Sequence, residues 1–368
     1  MPLTRRDFCG VLGSAMLLPA ERPDRHGRLV PPSRRSAVPP IRLDSNENPY
    51  GPSPAAREAI SRAIADGGRY PSSGALVTAI AAANRVPEAN VLLTVGATEG
   101  LYLAARAWTR PDAGLVTAAP SYAAIATATE GLGNPVTRVP IRPDGGLDLE
   151  TMAERSRGAG LVYLCNPNNP TGVLTPATEL QQFISRVNES SPATTIVVGE
   201  VYHEYIDDPA YASVAPLALT NPGLLVNRTF SKLYGLAGLR LGYSIGNEET
   251  LRKLMLHRVP LGANSLGIAA AIAALGDQQE VARQRRLNRE GRESAERFFR
   301  QRGLKFYPAS ANYLLVDVKR DIRVFRTACE EKGLLIGRYY PPAETWMRLT
   351  IGTPEEMLGA FRILEGIL

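Results

Sequence analysis

Residues 228–243 read Arg228-Thr229-Phe230-Ser231-Lys232-Leu233-Tyr234-Gly235-Leu236-Ala237-Gly238-Leu239-Arg240-Leu241-Gly242-Tyr243. The run before them, Leu224, Leu225 and Val226, has the length and branching of a buried strand. Lys232 is therefore expected to leave a strand end into a glycine-rich loop. A lysine held partly out of water beside another cation has a lowered pKa, and its neutral amine forms a Schiff base with aldehydes. Arg240 supplies the second cation, and Thr229 and Ser231 place hydroxyls beside the lysine. Two hydroxyls and a guanidinium around one reactive amine suit a phosphate group. An aldehyde that carries a phosphate is pyridoxal phosphate, and this stretch makes that cofactor the leading expectation.

At 368 residues and 44% hydrophobic content, the chain is long enough for one large domain and a smaller one. The net charge of +6 is concentrated at the start: residues 1–42 hold eight arginines against three acids, which leaves the remainder about +1. No basic stripe interleaved with aromatics remains in the body, which argues against a nucleic-acid partner. Cys9, Cys165 and Cys329 form no disulfide framework, and neither they nor the three scattered histidines have metal-ligand spacing, so no metal is expected. The opening Thr4-Arg5-Arg6-Asp7-Phe8, the apolar run 8–18 and Pro19-Ala20 are laid out like a twin-arginine export signal. That apolar run is too short to span a bilayer. Residues 21–40, rich in Pro, Arg and Ser, read as a linker. The twin-arginine machinery carries folded proteins, so the expected destination is the periplasm with the cofactor already inside; a cytoplasmic protein with an arginine-rich tail is the alternative.

The body of the chain alternates apolar strand-like runs with polar, glycine-bearing turns. Residues 42–52, Arg42-Leu43-Asp44-Ser45-Asn46-Glu47-Asn48-Pro49-Tyr50-Gly51-Pro52, carry too much proline and glycine for a helix interior and read as a loop. A helix opens at Pro54 and ends by Gly67-Gly68, followed by Arg69-Tyr70-Pro71. The run 91–95 delivers Gly96-Ala97-Thr98-Glu99-Gly100 to a helical pattern, and strand, glycine turn and helix together make a cradle for an anion. Leu115-Val116-Thr117 leads to Ala119-Pro120-Ser121-Tyr122, and the run 161–165 leads to Asn166-Pro167-Asn168-Asn169-Pro170-Thr171-Gly172. Thr195-Ile196-Val197-Val198 runs into Gly199-Glu200-Val201-Tyr202. Helices are expected at 248–257 and 266–302, the latter in more than one segment, and strands at 311–316 and around Trp346-Met347-Arg348-Leu349-Thr350.

In this order the segments resemble fold-type I pyridoxal phosphate-dependent aminotransferases of class I and II, and within them the histidinol-phosphate aminotransferase branch. The resemblance covers nearly everything after residue 41. It implies an α/β fold: a large cofactor-binding domain, residues 71–262, built on a mostly parallel sheet flanked by helices, and a smaller α+β domain from residues 42–70 and 263–368, after the signal-like segment and linker of residues 1–41. It implies that Lys232 forms the Schiff base and later acts as general base. The phosphate falls to Thr229, Ser231, Arg240 and the backbone of Gly96, Ala97 and Thr98, the ring to stacking on Tyr122, and its phenolic oxygen to Asn169 and Tyr202. Tyr70 reaches the phosphate of a neighbouring subunit, which implies a homodimer. Arg348 grips the substrate's α-carboxylate, with Asn48 at the mouth and Arg338 as a second substrate contact. The implied reaction is transamination between an amino acid and a 2-keto acid.

The chain departs from the pattern at two places. Thr98 stands where the family carries an acid, which leaves the phosphate contact there to the backbone. Gly199 stands where the family has the aspartate that keeps the ring nitrogen protonated. Glu200 is a poor substitute, because consecutive strand side chains point to opposite faces; His203 lies four residues on, and water could fill the space. On this reading, Gly199→Asp is expected to accelerate proton abstraction. The loss also keeps two rivals open: a pyridoxal phosphate enzyme of another reaction type, such as elimination, racemisation or an oxidase-like reaction, and a fold that binds cofactor or amino acid without turnover.

Overall fold

The computed structural model describes residues 39–258 and 262–368, together with the backbone of two short strands at 22–23 and 29–30 that pair antiparallel. The signal-like residues 1–20 lie outside the described residues. Residues 41–368 form one compact unit.

Its strands in chain order begin with β1 (Ile41–Leu43), β2 (Val91–Thr94), β3 (Leu115–Ala119) and β4 (Val136–Pro140). Next come β5 (Leu161–Cys165), β6 (Thr195–Gly199), β7 (Leu224–Thr229) and β8 (Gly242–Gly246). Strands β9 (Tyr313–Asp317), β10 (Leu334–Ile336) and β11 (Trp346–Thr350) complete the set. Seven of them form one sheet in the order β2-β8-β7-β6-β5-β3-β4. Strands β3 to β7 pair parallel with their neighbours, whereas β8 runs antiparallel to both β2 and β7. The quoted stretch is therefore the connection that turns β7 back as β8.

Most of these strands read as continuous apolar runs because both faces of the sheet are covered. Leu93, Val116, Val162, Val198, Val226 and Ile245 face one core, and Leu92, Leu115, Leu161, Val197 and Leu225, their neighbours in sequence, face the other. Helices α1 (Pro54–Ala63) and α3 (Ser265–Gly276) pack on each other in the first core. Helix α2 (Gly96–Trp108) lies in the second. After α3 comes α4 (Gln278–Gln301), so the expected helical stretch 266–302 is indeed broken. The break is Asp277, whose carboxylate accepts from the Glu280 N–H and opens α4.

A third core gathers Leu43, Phe299, Phe325 and Met347 beneath two small ladders. In one, β9 pairs antiparallel with β11; in the other, β10 pairs parallel with β1. Strand β1 is thus tied to the late strand β10, and residues 44–52 leave β1 toward the lysine loop.

Arg228 itself is buried in β7 and pairs with the buried Glu200 at 2.6 Å, with further bonds to Ser213 and Asn84. Glu200 also accepts from the Val214 N–H and the Ser213 hydroxyl. Burial pushes the Glu200 carboxyl up, but Arg228, His203 and these bonds outweigh it and hold the carboxyl below its ordinary value. The charge it carries therefore adds stability at neutral pH and loses it as pH falls through the carboxylate range. Arg228→Leu strands this carboxylate and is expected to cost about 3–5 kcal/mol in urea unfolding at pH 7. Glu200→Leu with Arg228→Leu should recover most of that loss; equal costs for single and double variants would show the pair to be irrelevant.

Candidate active site

Parallel strands end on a common edge, and ligands bind where their carboxyl ends open. Gly96 follows β2, Tyr122 follows β3, Asn169 follows β5, Tyr202 follows β6 and Lys232 follows β7, each within a few residues of the strand end. The motifs scattered over 136 residues of chain, from Gly96 to Lys232, converge for this reason.

The Lys232 ammonium nitrogen donates to the carbonyls of Ser45 at 3.2 Å and Asn46 at 2.9 Å. Its stem is only half-buried, yet the nitrogen lies deep and faces two guanidinium groups. Burial, then Arg348, brings its pKa down to about 7, with Arg240 adding to the shift and Glu47 opposing it. Asn46 can turn its carbonyl toward the amine because its backbone is left-handed, with φ 53°.

Tyr202 Oη accepts from Asn169 Nδ2 at 3.1 Å and from Asn46 Nδ2 at 3.0 Å. Burial raises its pKa strongly, so the phenol keeps a proton to donate. Asn46 is the residue that sequence reasoning missed. Asn48, expected at the substrate, instead donates to the Leu233 carbonyl at 2.6 Å and to Gln284 at 3.3 Å and accepts from the Tyr50 N–H. It shapes the loop. Two asparagines two positions apart looked alike in sequence; the positive φ at Asn46, the one mark that separates them, is a tertiary outcome.

Arg348 is 6% exposed. It donates to Asn169 Oδ1 at 2.9 Å and to the Asp44 carbonyl at 2.6 Å, while its Nε is buried without a partner among the described residues. Its guanidinium lies between the rings of Tyr340 at 4.9 Å and Tyr313 at 5.5 Å. Arg338 is exposed, with its guanidinium 5.3 Å from the centroid of the same Tyr340 ring.

A second cationic corner forms at the start of α2. Gly96 has φ +72°, and a Cβ there would collide with the Arg240 guanidinium. The first N–H groups of α2 have no partner within the helix, and with the adjacent Arg240 guanidinium they form a donor recess of the kind that suits an anion. Arg240 holds its place through the Ala237 carbonyl at 2.8 Å and Ser231 Oγ at 3.4 Å. Gly242 on β8 is required here too, since a side chain would strike the Ala97 N–H. Thr98 and Tyr122 join their hydroxyls at 3.2 Å. Thr229 departs from expectation. Its hydroxyl accepts from the Ser231 N–H and donates to the Leu241 carbonyl, closing the turn under the recess rather than pointing into it. Tyr70 is 87% exposed.

The space expected beside Gly199 does not exist. A Cβ on Gly199 would lie 2.7 Å from Tyr163 Oη and 3.2–3.3 Å from its ring, so a phenol, not water, takes the place of the absent side chain. Gly199→Asp alone is consequently expected to collide with Tyr163 instead of accelerating proton abstraction.

The donor set fits pyridoxal phosphate: a lysine able to be neutral at pH 7, a recess of backbone N–H groups crossed by Arg240, a phenol with two amide donors, and an arginine with an orphaned Nε. Residues 38–363 match the family Aminotransferase class I and II. Histidinol-phosphate aminotransferase 1 of Cupriavidus pinatubonensis is 39% identical over 339 residues, 89% of this chain and 88% of that protein. The Bacillus subtilis histidinol-phosphate aminotransferase is 37% identical over 336 residues, 89% and 91% of the two chains. The structure of histidinol-phosphate aminotransferase from Sinorhizobium meliloti in complex with pyridoxal-5'-phosphate superposes with a TM-score of 0.82 at 27% identity, covering 89% of this chain and 91% of that one.

With Lys232 titrating at about 7, the rate at which cofactor-free protein captures pyridoxal phosphate should rise between pH 6 and 8 and level off above. Stopped-flow absorbance measures it. A rate still climbing steeply at pH 9 would mean an ordinary lysine.

Proposed function

The chain belongs to the aminotransferase class I and II family, and on that premise we propose that the residues around Lys232 move an amino group between an amino acid and a 2-keto acid. It is a pyridoxal phosphate-dependent transaminase. When bound, the cofactor supplies an aldehyde carbon to receive the amino group and a conjugated ring to take up the electron pair left by the departing α-proton.

One observation carries the assignment of roles: the carbonyls of three consecutive residues, Asp44, Ser45 and Asn46, link Arg348 to Lys232. A substrate carboxylate on Arg348 is thereby brought beside the amine that must reach its Cα. Arg348 offers two N–H groups in one plane and holds the carboxylate bidentately. Lys232 Nζ, near-neutral at physiological pH, takes the proton from Cα and later gives one back. Tyr202 directs its proton at the cofactor's phenolic oxygen, seconded by Asn169. Gly96, Ala97, Thr98, Ser231 and Arg240 hold the phosphate through N–H, hydroxyl and guanidinium donors. Tyr122 covers the ring, and Arg338 meets the distal part of the substrate.

The relatives named above make a phosphorylated imidazole amine one of the candidates. We also propose a homodimer in which the exposed Tyr70 completes the phosphate site of the second copy, and export through the arginine pair Arg5-Arg6. Support for the dimer is that Tyr70, Met255 and Leu256 are large side chains left 87%, 54% and 83% exposed.

Mixing the holoprotein with single amines, histidinol phosphate and glutamate among them, should convert the bound aldehyde chromophore to the amine form for at least one of them. Lys232→Ala should slow that conversion by about 10³-fold or more. A chromophore that no amine changes would sink the transaminase roles. Light scattering should return twice the chain mass, and in cell fractionation Arg5→Lys with Arg6→Lys should leave the protein in the cytoplasm; monomers, or unaltered export, count against the respective proposal.

A further inference from the structure

Gly199 is the last residue of β6, and its register partner on β5 is Cys165. Tyr163, two residues earlier on β5, shares the face of Cys165. It is 1% exposed and packs in the same core as Tyr122, Cys165 and Tyr202. Its ring reaches along that face until the hydroxyl stands 2.7 Å from where a Cβ of residue 199 would be. A side chain at 199 would have to displace the Tyr163 hydroxyl.

The constitution of pyridoxal phosphate decides what this hydroxyl would meet. The ring nitrogen stands opposite the aldehyde-bearing carbon, with the phenolic oxygen and the phosphate arm on the two carbons flanking it. With Lys232 at the aldehyde edge, Asn169 and Tyr202 at the phenolic oxygen and the Gly96–Arg240 corner at the phosphate, the nitrogen edge would face away from Lys232, on the side where β5 and β6 end. Two other polar groups near that point are committed elsewhere: Cys165 donates its thiol proton to the Pro167 carbonyl and Glu200 is paired with Arg228. Asn227, opposite Gly199 on β7, leaves its Oδ1 without a partner among the described residues, but an amide oxygen can only accept.

We propose that the Tyr163 hydroxyl is the partner of the ring nitrogen, donating a hydrogen bond to it where relatives place a carboxylate. The inference rests on the transaminase reading above. Burial raises the Tyr163 pKa well above the usual phenol value, with the neighbouring Cys165, Tyr122 and Tyr202 adding to it. The phenol therefore keeps its proton, and the nitrogen accepts a hydrogen bond without becoming charged. A ring held this way withdraws electrons less strongly than a pyridinium, which leaves more of the work of proton removal to Lys232. The pair also implies a joint constraint: an aspartate at 199 needs the Tyr163 side chain to give way, and removing its hydroxyl relieves the shortest contact.

The test is nitrogen NMR of the full chain loaded with ring-¹⁵N pyridoxal phosphate. The wild-type protein should show a neutral, hydrogen-bonded ring nitrogen. In Tyr163→Phe the signal should move toward that of a pyridine without a donor, and the dissociation constant should rise by about fivefold, as expected for one neutral hydrogen bond. In Tyr163→Phe with Gly199→Asp the signal should move to the pyridinium position. A pyridinium signal in the wild-type protein overturns the proposal without any variant, as does a Tyr163→Phe signal that stays at the wild-type frequency. Wild-type protein that takes up no cofactor overturns the transaminase reading along with it, so the two failures are told apart by whether a bound signal exists.

Discussion

The amine of Lys232 can be buried beside two guanidinium groups only if something satisfies its protons, and the carbonyls of Ser45 and Asn46 do so. Much of the surrounding structure follows from that need. Residues 44–52 must lie across the lysine loop, and several contacts hold them there. Asn48 bonds the Leu233 carbonyl, and Gly235, with φ +68°, lets the backbone of Gly51 come so close that any side chain would be excluded. Thr350 on β11 exchanges two bonds with Asn46, and Arg348 on the same strand holds the Asp44 carbonyl. The segment after β1 and strand β11 are thereby joined beside the Lys232 amine.

Electrostatics gives the site its preference for anions. Lys232, Arg240 and Arg348 are gathered at one edge of the sheet. The buried Glu200 carboxylate just past β6 is committed to Arg228, and Glu47 is partly exposed with Arg42 as its partner. Three cations with so little compensation raise the local potential, and one relief is for the lysine to lose its proton near neutral pH. The same arrangement favours a phosphate at one end and a carboxylate at the other. The surroundings of Gly199 are distinctive as well: the side chains packed on its open face are phenols and a thiol, and the Glu200 carboxylate next to it in sequence is committed to Arg228.

Much of the site was legible because its parts are local. A strand end followed by glycine and a polar residue can be read without knowing the partner, and Gly96, Asn169, Tyr202 and Lys232 all lie just past such ends. The failures share a cause. Thr229, taken as a phosphate ligand, closes its own turn, because a hydroxyl beside a sharp bend finds backbone partners first. Asn46 and Asn48 exchanged importance because only the folded loop shows which backbone is left-handed. The departure at Gly199 was visible at once, but its meaning was not, since Tyr163 precedes it by 36 residues and nothing in either segment announces that one fills the other's space.

Sequence by itself determined the order of strands and turns, the two-sided burial of the sheet and the place of Lys232 just past a strand end. Those properties depend on short-range chemistry: apolar runs, glycine where the chain must turn, and a charged amine next to hydroxyls. Only the tertiary structure decided which carbonyls quench that amine, which asparagine meets Tyr202 and what occupies the place of the absent carboxylate. Each of these depends on distances between segments far apart in the chain, and a difference of one or two ångströms in packing changes which group a side chain can reach.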